Sequence, residues 1–278
     1  MSDLEDYLNK LIRKKNIFRE QSFENLKQVL VNLKIKKPNK LISITGTNGK
    51  GSTAEILSRV LAKNKYEVGL LTSPHLVKFN ERIRINNENI DDSEMLNCLE
   101  EVDKLKDSKE LNFYQIIAAA AFLFFSKKKL DVWILEVGLG GRLDPANYFD
   151  ADISVITKIA LDHENILGKG VENIGREKAG IFRTNQTVIF GEGSIPNSVL
   201  KIVEKLNVDL HKVDGTNIES AYFHKNSLGI SKKIFELQFP EIDAKSELEK
   251  IDEFEFLGRN HLVLENLLLD VSHNSDSI

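Results

Sequence analysis

Residues 42 to 52, with the sequence ISITGTNGKGS, combine an apolar run with a loop that holds three glycines, a lysine and a serine. Glycines let backbone N–H groups curl around a phosphate, Lys50 adds a positive charge, and a helix that begins there points its positive end at the anion. The segment therefore predicts nucleotide binding. It departs from the common G-x-x-x-x-G-K-[ST] pattern, because Ile44 stands five residues before Gly49 and Gly51 follows Lys50.

Polar residues also follow three other apolar runs. They are Thr72 with Ser73, Glu136 with Gly138, and Thr157 with Asp162 and His163. Mg²⁺ prefers hard oxygen ligands and retains several waters, and a neutral imidazole can bind a second divalent ion. A buried carboxylate without a partner is costly, so Glu136 is predicted to be a metal ligand. The alternatives are a hydrogen-bonded loop histidine at His163 and a turn residue before Pro74 at Ser73.

The elements that must position these groups follow from the hydrophobic pattern. The runs at 41–45, 68–72, 132–137 and 153–157 have the character of strands buried on both faces, and helical patterns separate them. They predict an α/β fold with a P-loop-type, mostly parallel sheet flanked by helices. Ligands of open α/β sheets bind beyond the carboxyl ends of the strands, so all these polar groups should converge on one rim.

The remaining segments complete the predicted architecture. Two helices are expected within residues 3–33, a small hairpin around 83–85, helices from near 92 and over 113–125, a strand at 187–191, a helix at 196–206 and a strand at 209–213. Residues 221–257 are predicted to form a small antiparallel β-rich extension.

Composition limits the function classes. The chain has 278 residues, a net charge of −4 and a single cysteine, Cys98, so neither an internal disulfide nor a multi-cysteine metal site is expected. No general affinity for nucleic acid is expected from this charge. The longest apolar run, 116–125, is shorter than the roughly 20 residues that span a bilayer, and the first six residues carry acid rather than base. A cytoplasmic protein without a membrane partner is the expectation.

The loop alone leaves the class of nucleotide enzyme open. A GTPase would carry an Asn-Lys-x-Asp or Thr-Lys-x-Asp guanine-binding motif, and the chain has neither. A kinase or ATPase of unrelated substrate remains a possible alternative on this motif. The other polar segments carry more information.

Five segments decide between these classes. They are GTNGKGS at 46–52, LTSPHL at 71–76 with FNERI at 79–83, LEVGLGGRLD at 135–144, LDH at 161–163, and REKAGI at 176–181. In this order and at these spacings, the set closely resembles the folylpolyglutamate synthase and dihydrofolate synthase family, a branch of the Mur-type ligases. The resemblance runs through about residues 40–193.

This resemblance implies a set of roles. ATP would contact Gly46, Thr47, Asn48, Gly49, Lys50, Gly51 and Ser52, together with Asp270 and His273; the metal ligands would be Ser73, Glu136, His163 and Lys178; the substrate cleft would include His75, Phe79 and Arg82. Lys178 would carry a carbamate formed from CO₂, whereas the residues alone make it a helix residue beside Glu177. Lys50, Lys178 and His163 would be the catalytic groups, and the cofactors would be ATP and two Mg²⁺ ions.

The resemblance also predicts domains and an activity. Residues 1–257 would form the central ATP-binding domain, and 258–278 a remnant of the linker and the C-terminal glutamate-ligase domain, because family members usually continue for over a hundred residues more. The implied activity adds L-glutamate to the carboxylate of folate or dihydropteroate through an acyl phosphate, in a monomer. The alternative is a truncated, catalytically impaired remnant that retains ATP and Mg²⁺ contacts.

Overall fold

The helices and strands follow the order expected of an α/β protein. The computed structural model describes residues 3–12, 20–254, 261–264 and 267–269. The helices there are α1 (Asp3–Ile12), α2 (Glu20–Asn32), α3 (Lys50–Lys63), α4 (Asp92–Asp103), α5 (Phe113–Ser126), α6 (Glu164–Leu167), α7 (Val171–Ala179), α8 (Asn197–Leu206), α9 (Lys225–Gln238) and α10 (Ala244–Glu249). The strands are β1 (Lys40–Thr45), β2 (Val68–Leu71), β3 (Ile83–Ile85), β4 (Glu88–Asn89), β5 (Val132–Glu136), β6 (Ile153–Ile156), β7 (Thr187–Phe190), β8 (Asp209–Lys212), β9 (His261–Leu264) and β10 (Leu267–Leu269).

One sheet organises most of the described chain. Its eight strands lie in the order β4-β3-β2-β5-β1-β6-β7-β8. The six strands from β2 to β8 in this order are parallel, while β3 and β4 add an antiparallel edge. The predicted mostly parallel sheet is therefore confirmed, as is the small hairpin around residues 83–85. Strands β9 and β10 form a separate antiparallel pair.

The sheet divides the core in two, because successive side chains of a strand point to opposite faces. Trp133 and Leu135 of β5 pack on one face with helices α1, α2, α4 and α5, whereas Val132 and Ile134 pack on the other face with α3, α9 and α10. All four side chains are almost fully buried. A strand covered on both faces reads as a continuous apolar run, which is why these strands could be recognised from sequence.

The antiparallel extension predicted over residues 221–257 is wrong. The described part of this segment, up to residue 254, forms helices α9 and α10 and a short 3-10 turn. Its buried residues Leu228, Ser231, Phe235 and Phe239 recur every three or four positions, which is the helical rather than the strand period. Asp243 accepts a hydrogen bond from the N–H of Ser246 and so caps α10.

Two other predictions about organisation have different outcomes. Helix α3 begins at Lys50, so the predicted phosphate loop leads directly into a helix. The proposed domain boundary at residue 257 lies outside the described residues and stays a prediction. No helix in the described part of the chain combines the length and the apolar character needed to cross a bilayer.

Candidate functional site

The carboxyl ends of the central strands place the predicted site residues on one rim. Strand β1 lies between β5 and β6, with Ile44 opposite Glu136 and Thr45 opposite Ile156. The loops that follow these three strands therefore leave the sheet side by side. They carry the phosphate loop, the glycine-rich segment 138–141 and the segment that contains His163.

The phosphate loop needs glycine at two positions for different reasons. Gly46 has a φ of 152°, and a Cβ there would lie 1.9 Å from the Oγ1 atom of Thr157, so no side chain fits. Gly49 caps α3 in the left-handed conformation, with a φ of 85°. Thr157 also donates a hydrogen bond of 2.6 Å from Oγ1 to the carbonyl of Asn48. The neighbouring strand β6 thus fixes the shape of the loop.

Further backbone contacts hold the other loop residues. The N–H of Thr47 donates to the carbonyl of Lys158 at 2.8 Å, and its hydroxyl lies 3.2 Å from the carbonyl of Ala160. Gly51 and Ser52 are in the first turn of α3 and are half-buried. The predicted phosphate-binding residues are therefore brought together at a helix N-terminus, where an anion is favoured.

Lys50 lies folded over this loop. Its Nζ atom donates to the carbonyls of Gly46 and Thr47, at 2.9 and 3.1 Å. Burial lowers the pKa of the Lys50 ammonium, and the nearby charges of Glu136 and Asp162 partly oppose this shift. A cation held by carbonyls and surrounded by carboxylates is well placed to meet a phosphate.

Glu136 is the buried carboxylate of the rim and is only 2% exposed. Its Oε2 atom accepts hydrogen bonds from the hydroxyl of Thr72 and, at 3.0 Å, from the N–H of Ser73. Oε1 accepts no hydrogen bond from the described residues. Tyr114 approaches from α5 and donates to the backbone carbonyl of Glu136 at 3.1 Å. A carboxylate oriented in this way beside a serine suits a hard divalent cation.

His163 lies farther out. It follows β6, adopts a left-handed φ of 49°, and its side chain is 52% exposed. Its nearest charged group is Asp162, at 3.8 Å between Nε2 and Oδ1, and within the described residues it makes no hydrogen bond to Glu136 or Ser73. Across the described part of the chain, no three His, Cys, Asp or Glu side chains converge as a metal site. A metal held here would depend on additional oxygen ligands.

Lys178 is a buried amine at the end of α7 and is 4% exposed. Burial and the positive charge of Lys50 lower the pKa of Lys178 well below its usual value, with Asp162 acting in the opposite direction. No described residue forms an ion pair or hydrogen bond with its Nζ atom. Such a lysine favours the neutral amine, because a buried ammonium without a partner is unstable.

The predicted substrate residues His75, Phe79 and Arg82 contact one another. Arg82 donates from Nε to the Nδ1 atom of His75 at 2.9 Å, and its guanidinium lies 5.1 Å from the centre of the Phe79 ring. The His75 and Phe79 rings are 5.2 Å apart. Glu81 accepts hydrogen bonds from three consecutive backbone N–H groups, of Leu76, Val77 and Lys78, and so holds the loop that carries His75.

Two residues of this region carried no functional prediction. Asn226, at the start of α9, donates from Nδ2 to the carbonyl of Thr157 at 2.9 Å and accepts from the N–H of Glu192 at 3.0 Å. Asp144 is fully buried at the end of the glycine-rich loop. Recognising the helical spacing after residue 224 would have placed Asn226 in the first turn of a helix, but not its contact with Thr157. The other two predicted ATP contacts, Asp270 and His273, lie outside the described residues.

Comparisons with known proteins bear on the family and the fold of this chain. The model of the Mur ligase middle domain family matches residues 44–269. A dihydrofolate synthase/folylpolyglutamate synthase of Buchnera aphidicola subsp. Schizaphis graminum is 36% identical over 96% of this chain and 69% of its own length. Its counterparts from Buchnera aphidicola subsp. Acyrthosiphon pisum and Escherichia coli are 42% and 39% identical, over 65% and 66% of this chain. These two sequence matches cover 44% and 43% of the relatives' own lengths, less than half of each.

Solved structures give the same result. The structure of E. coli FolC in complex with DHPP and ADP superposes with a TM-score of 0.90 at 29% identity, over 99% of this chain and 72% of that one. The bifunctional folylpolyglutamate synthase/dihydrofolate synthase of Yersinia pestis complexed with AMPPNP and Mn ion has a TM-score of 0.88 at 31% identity, over 100% of this chain and 73% of that one.

A family match over most of the chain, the shared sheet and the phosphate loop beside a buried glutamate have a single explanation. This chain belongs to the Mur ligase middle domain family and, within it, to the dihydrofolate synthase/folylpolyglutamate synthase family.

Proposed function

We propose that the chain acts in an ATP-dependent ligase that joins L-glutamate to the carboxylate of a folate or of dihydropteroate. The observation that carries the proposal is the placement of Lys50 over a glycine-formed phosphate loop, next to the buried carboxylate of Glu136. The similar structures contain ADP with DHPP, or Mn with AMPPNP, and one of them also contains L-glutamate. Family membership and geometry therefore support the same activity.

The phosphate loop would bind the nucleotide. In the free protein Lys50 donates to the loop carbonyls of Gly46 and Thr47, and phosphate oxygens would replace these weaker acceptors. The N–H groups at the start of α3 supply further donors and the positive end of the helix dipole. These residues would stabilise the charge that spreads over the γ-phosphoryl group during transfer.

The residues next to the loop fit a divalent metal. Glu136 offers the Oε1 oxygen and Ser73 a nearby hydroxyl, and we propose that these two groups, with His163 and a carbamate on Lys178, would hold two Mg²⁺ ions. Bound Mg²⁺ neutralises phosphate charge and so favours attack by an anionic nucleophile. Thr72 and the N–H of Ser73 orient the Glu136 carboxylate for this task.

The reaction would proceed in two steps. An oxygen of the acceptor carboxylate attacks the γ-phosphorus of ATP, the bond to the bridging oxygen breaks and ADP leaves, which gives an acyl phosphate. The α-amine of glutamate then attacks the acyl carbon, loses a proton and expels phosphate, which leaves an amide. His75, Phe79 and Arg82 would line the acceptor cleft, because aromatic and guanidinium faces stack on flat heterocycles. Asp270 and His273 are proposed as further nucleotide contacts.

Substrate dependence tests this activity. Phosphate release from ATP should require both a pteroate-type carboxylate and L-glutamate, with a glutamylated product seen by mass spectrometry. The assay uses the chain together with any sequence that follows it in the gene. Release that ignores glutamate would identify an ATPase instead, and retained ATP binding without turnover would contradict a ligase.

Lys178→Ala is expected to lower turnover about 100-fold, since it would remove the carbamate oxygen from the metal site. Carbamates form from neutral amines, and the lowered pKa of Lys178 raises the fraction of neutral amine. As the pH falls through that lowered pKa, the amine is protonated and the carbamate is lost. Added acetate should partly rescue the variant by supplying a carboxylate.

A carbamate also has a direct spectroscopic signature. Wild-type protein equilibrated with ¹³CO₂ should show a carbamate ¹³C signal that is absent in Lys178→Ala and present in Lys169→Ala, a change at an exposed lysine of the same region. A wild-type spectrum without this signal, combined with no rescue by acetate, would show that Lys178 is not modified.

A further inference from the structure

Asp144 is a fully buried carboxylate that uses both of its oxygens. Oδ2 accepts from the N–H groups of Gly138 and Leu139, at 2.9 and 3.3 Å, and Oδ1 accepts from the N–H of Ala146 at 2.9 Å. The side chain therefore closes residues 138–144 into a ring. Burial raises the pKa of Asp144 to about 7, although these donors and the charge of Lys50 favour the ionised form.

Helix capping alone does not explain this arrangement. The bond to Ala146 caps the short 3-10 helix Pro145–Tyr148, and such a cap needs only one oxygen. Asp91 shows the ordinary case, because it caps α4 through the N–H of Glu94 at 2.8 Å and remains exposed. Asp144 instead turns its second oxygen inward, towards the backbone that follows β5. Burying a carboxylate costs free energy, and capping the 3-10 helix does not require it. The inward hydrogen bonds of Asp144 therefore need another explanation.

The ring closed by Asp144 touches three parts of the proposed site. Gly138 follows Glu136 by two residues, and the carbonyl of Gly140 accepts a 2.6 Å hydrogen bond from the hydroxyl of Thr45, immediately before the phosphate loop. At Gly141, a Cβ would lie 2.8 Å from the carbonyl oxygen of Glu177 and 2.9 Å from that of Lys178. The ring is therefore the common neighbour of Glu136, the phosphate loop and Lys178.

We propose that Asp144 is a positioning residue, which fixes the backbone between Glu136 and Gly141 and thereby sets the spacing of the proposed metal ligands Glu136 and Lys178 around a magnesium-bound nucleotide. The inference rests on the nucleotide-binding part of the proposed function and not on the identity of the acceptor. Neither oxygen of Asp144 needs to contact the ligand.

Asp144→Asn is the sharpest probe, because it preserves shape and removes one acceptor. The single oxygen of the new amide can accept either from the N–H groups of Gly138 and Leu139 or from the N–H of Ala146. In either case the amide NH₂ group, which is a donor, faces the N–H donor that the oxygen does not reach. We expect affinity for ADP with Mg²⁺, measured by titration calorimetry, to fall about 10-fold, which is the lower end of the effect of supporting residues around metal ligands. The matched control is Asp91→Asn, which should bind like the wild type.

A comparison of ADP binding with and without Mg²⁺ distinguishes a loss of positioning from general damage to the fold. With EDTA present, ADP alone should bind to Asp144→Asn within about 2-fold of the wild type, because only the metal ligands are misplaced. Equal losses with and without Mg²⁺, or unchanged affinity in both, would overturn the proposal. These are binding measurements, so a wild type that binds ADP with Mg²⁺ but shows no glutamate-dependent turnover would contradict the ligase proposal without affecting this one.

A second measurement covers the case in which Asp144→Asn does not fold. In wild-type protein without nucleotide, hydrogen exchange resolved by NMR should show the amides of Gly138, Leu139 and Ala146 strongly protected, because Asp144 already binds them. Addition of ADP and Mg²⁺ should change their exchange little. Rapid exchange in the free protein, with protection only after nucleotide addition, would mean that the ligand orders the ring and that Asp144 does not.

Discussion

Lys50→Ala is expected to lower ATP turnover at least about 1000-fold, the scale of losing a preorganised charge that acts on a phosphoryl group. The Nζ atom lies 2.9 Å from the carbonyl of Gly46, inside the loop that would hold the phosphates. Removing the Lys50 side chain leaves the glycine conformations and the hydrogen bonds donated by Thr157 and Thr47 in place. The melting temperature should therefore change little while phosphate release, measured with saturating acceptor and glutamate, disappears.

Lys63→Ala provides the matched control for this prediction. Lys63 is in the last turn of the same helix, α3, where it forms a partly exposed ion pair with Glu247 at 2.8 Å. Such pairs contribute about 0–1 kcal/mol to stability, so turnover by Lys63→Ala should match that of the wild type. Near-normal turnover by Lys50→Ala would remove the phosphate loop from the proposed chemistry.

Glu136→Gln should cause about a 100-fold loss of turnover together with a higher Mg²⁺ requirement. The amide has the same volume and one oxygen, so it can still accept from the N–H of Ser73. It loses the negative charge that attracts a divalent cation. A titration of activity against Mg²⁺ concentration, at fixed ATP, measures both effects.

Glu55→Gln distinguishes a metal effect from damage to a buried carboxylate. Glu55 is a largely buried glutamate of α3 that pairs with Arg59 at 2.9 Å and also with Arg84, and these pairs involve none of the proposed metal ligands. Its replacement should lower thermal stability, because it leaves buried guanidinium groups with weaker partners, yet preserve the Mg²⁺ requirement. If Glu136→Gln showed this same pattern, Glu136 would be a structural residue.

The sheet could be read from sequence because its strands are buried on both faces. Runs such as Val132 to Leu135 are continuously apolar, and the glycines that follow β1 permit the tight turn from this strand into α3. The order of polar groups after each run then predicted a common rim. Residues Lys50, Ser73 and Glu136 lie near one another there, while His163 is placed on the outer part of the same rim.

The local pattern of apolar residues was insufficient where it fits both the helical and the strand period. Residues 221–254 contain short apolar stretches that are also typical of antiparallel strands, but their packing against α3 selects the helical period. This docking brings Asn226 of α9 onto the carbonyl of Thr157, a contact between residues 69 positions apart. No window of sequence contains both partners, so the contact could not be predicted from either one.

By itself, the sequence determined the family, the parallel sheet and the residues of the phosphate loop, because glycine conformation and strand burial are local properties. Only the tertiary structure decided the environment of the charged groups. It buries Lys178 without a partner among the described residues, turns one oxygen of Asp144 into the loop after β5 and the other to the N–H of Ala146, and leaves His163 half exposed. Burial and hydrogen bonding depend on chain segments that are distant in sequence, and they set the pKa and orientation of each group.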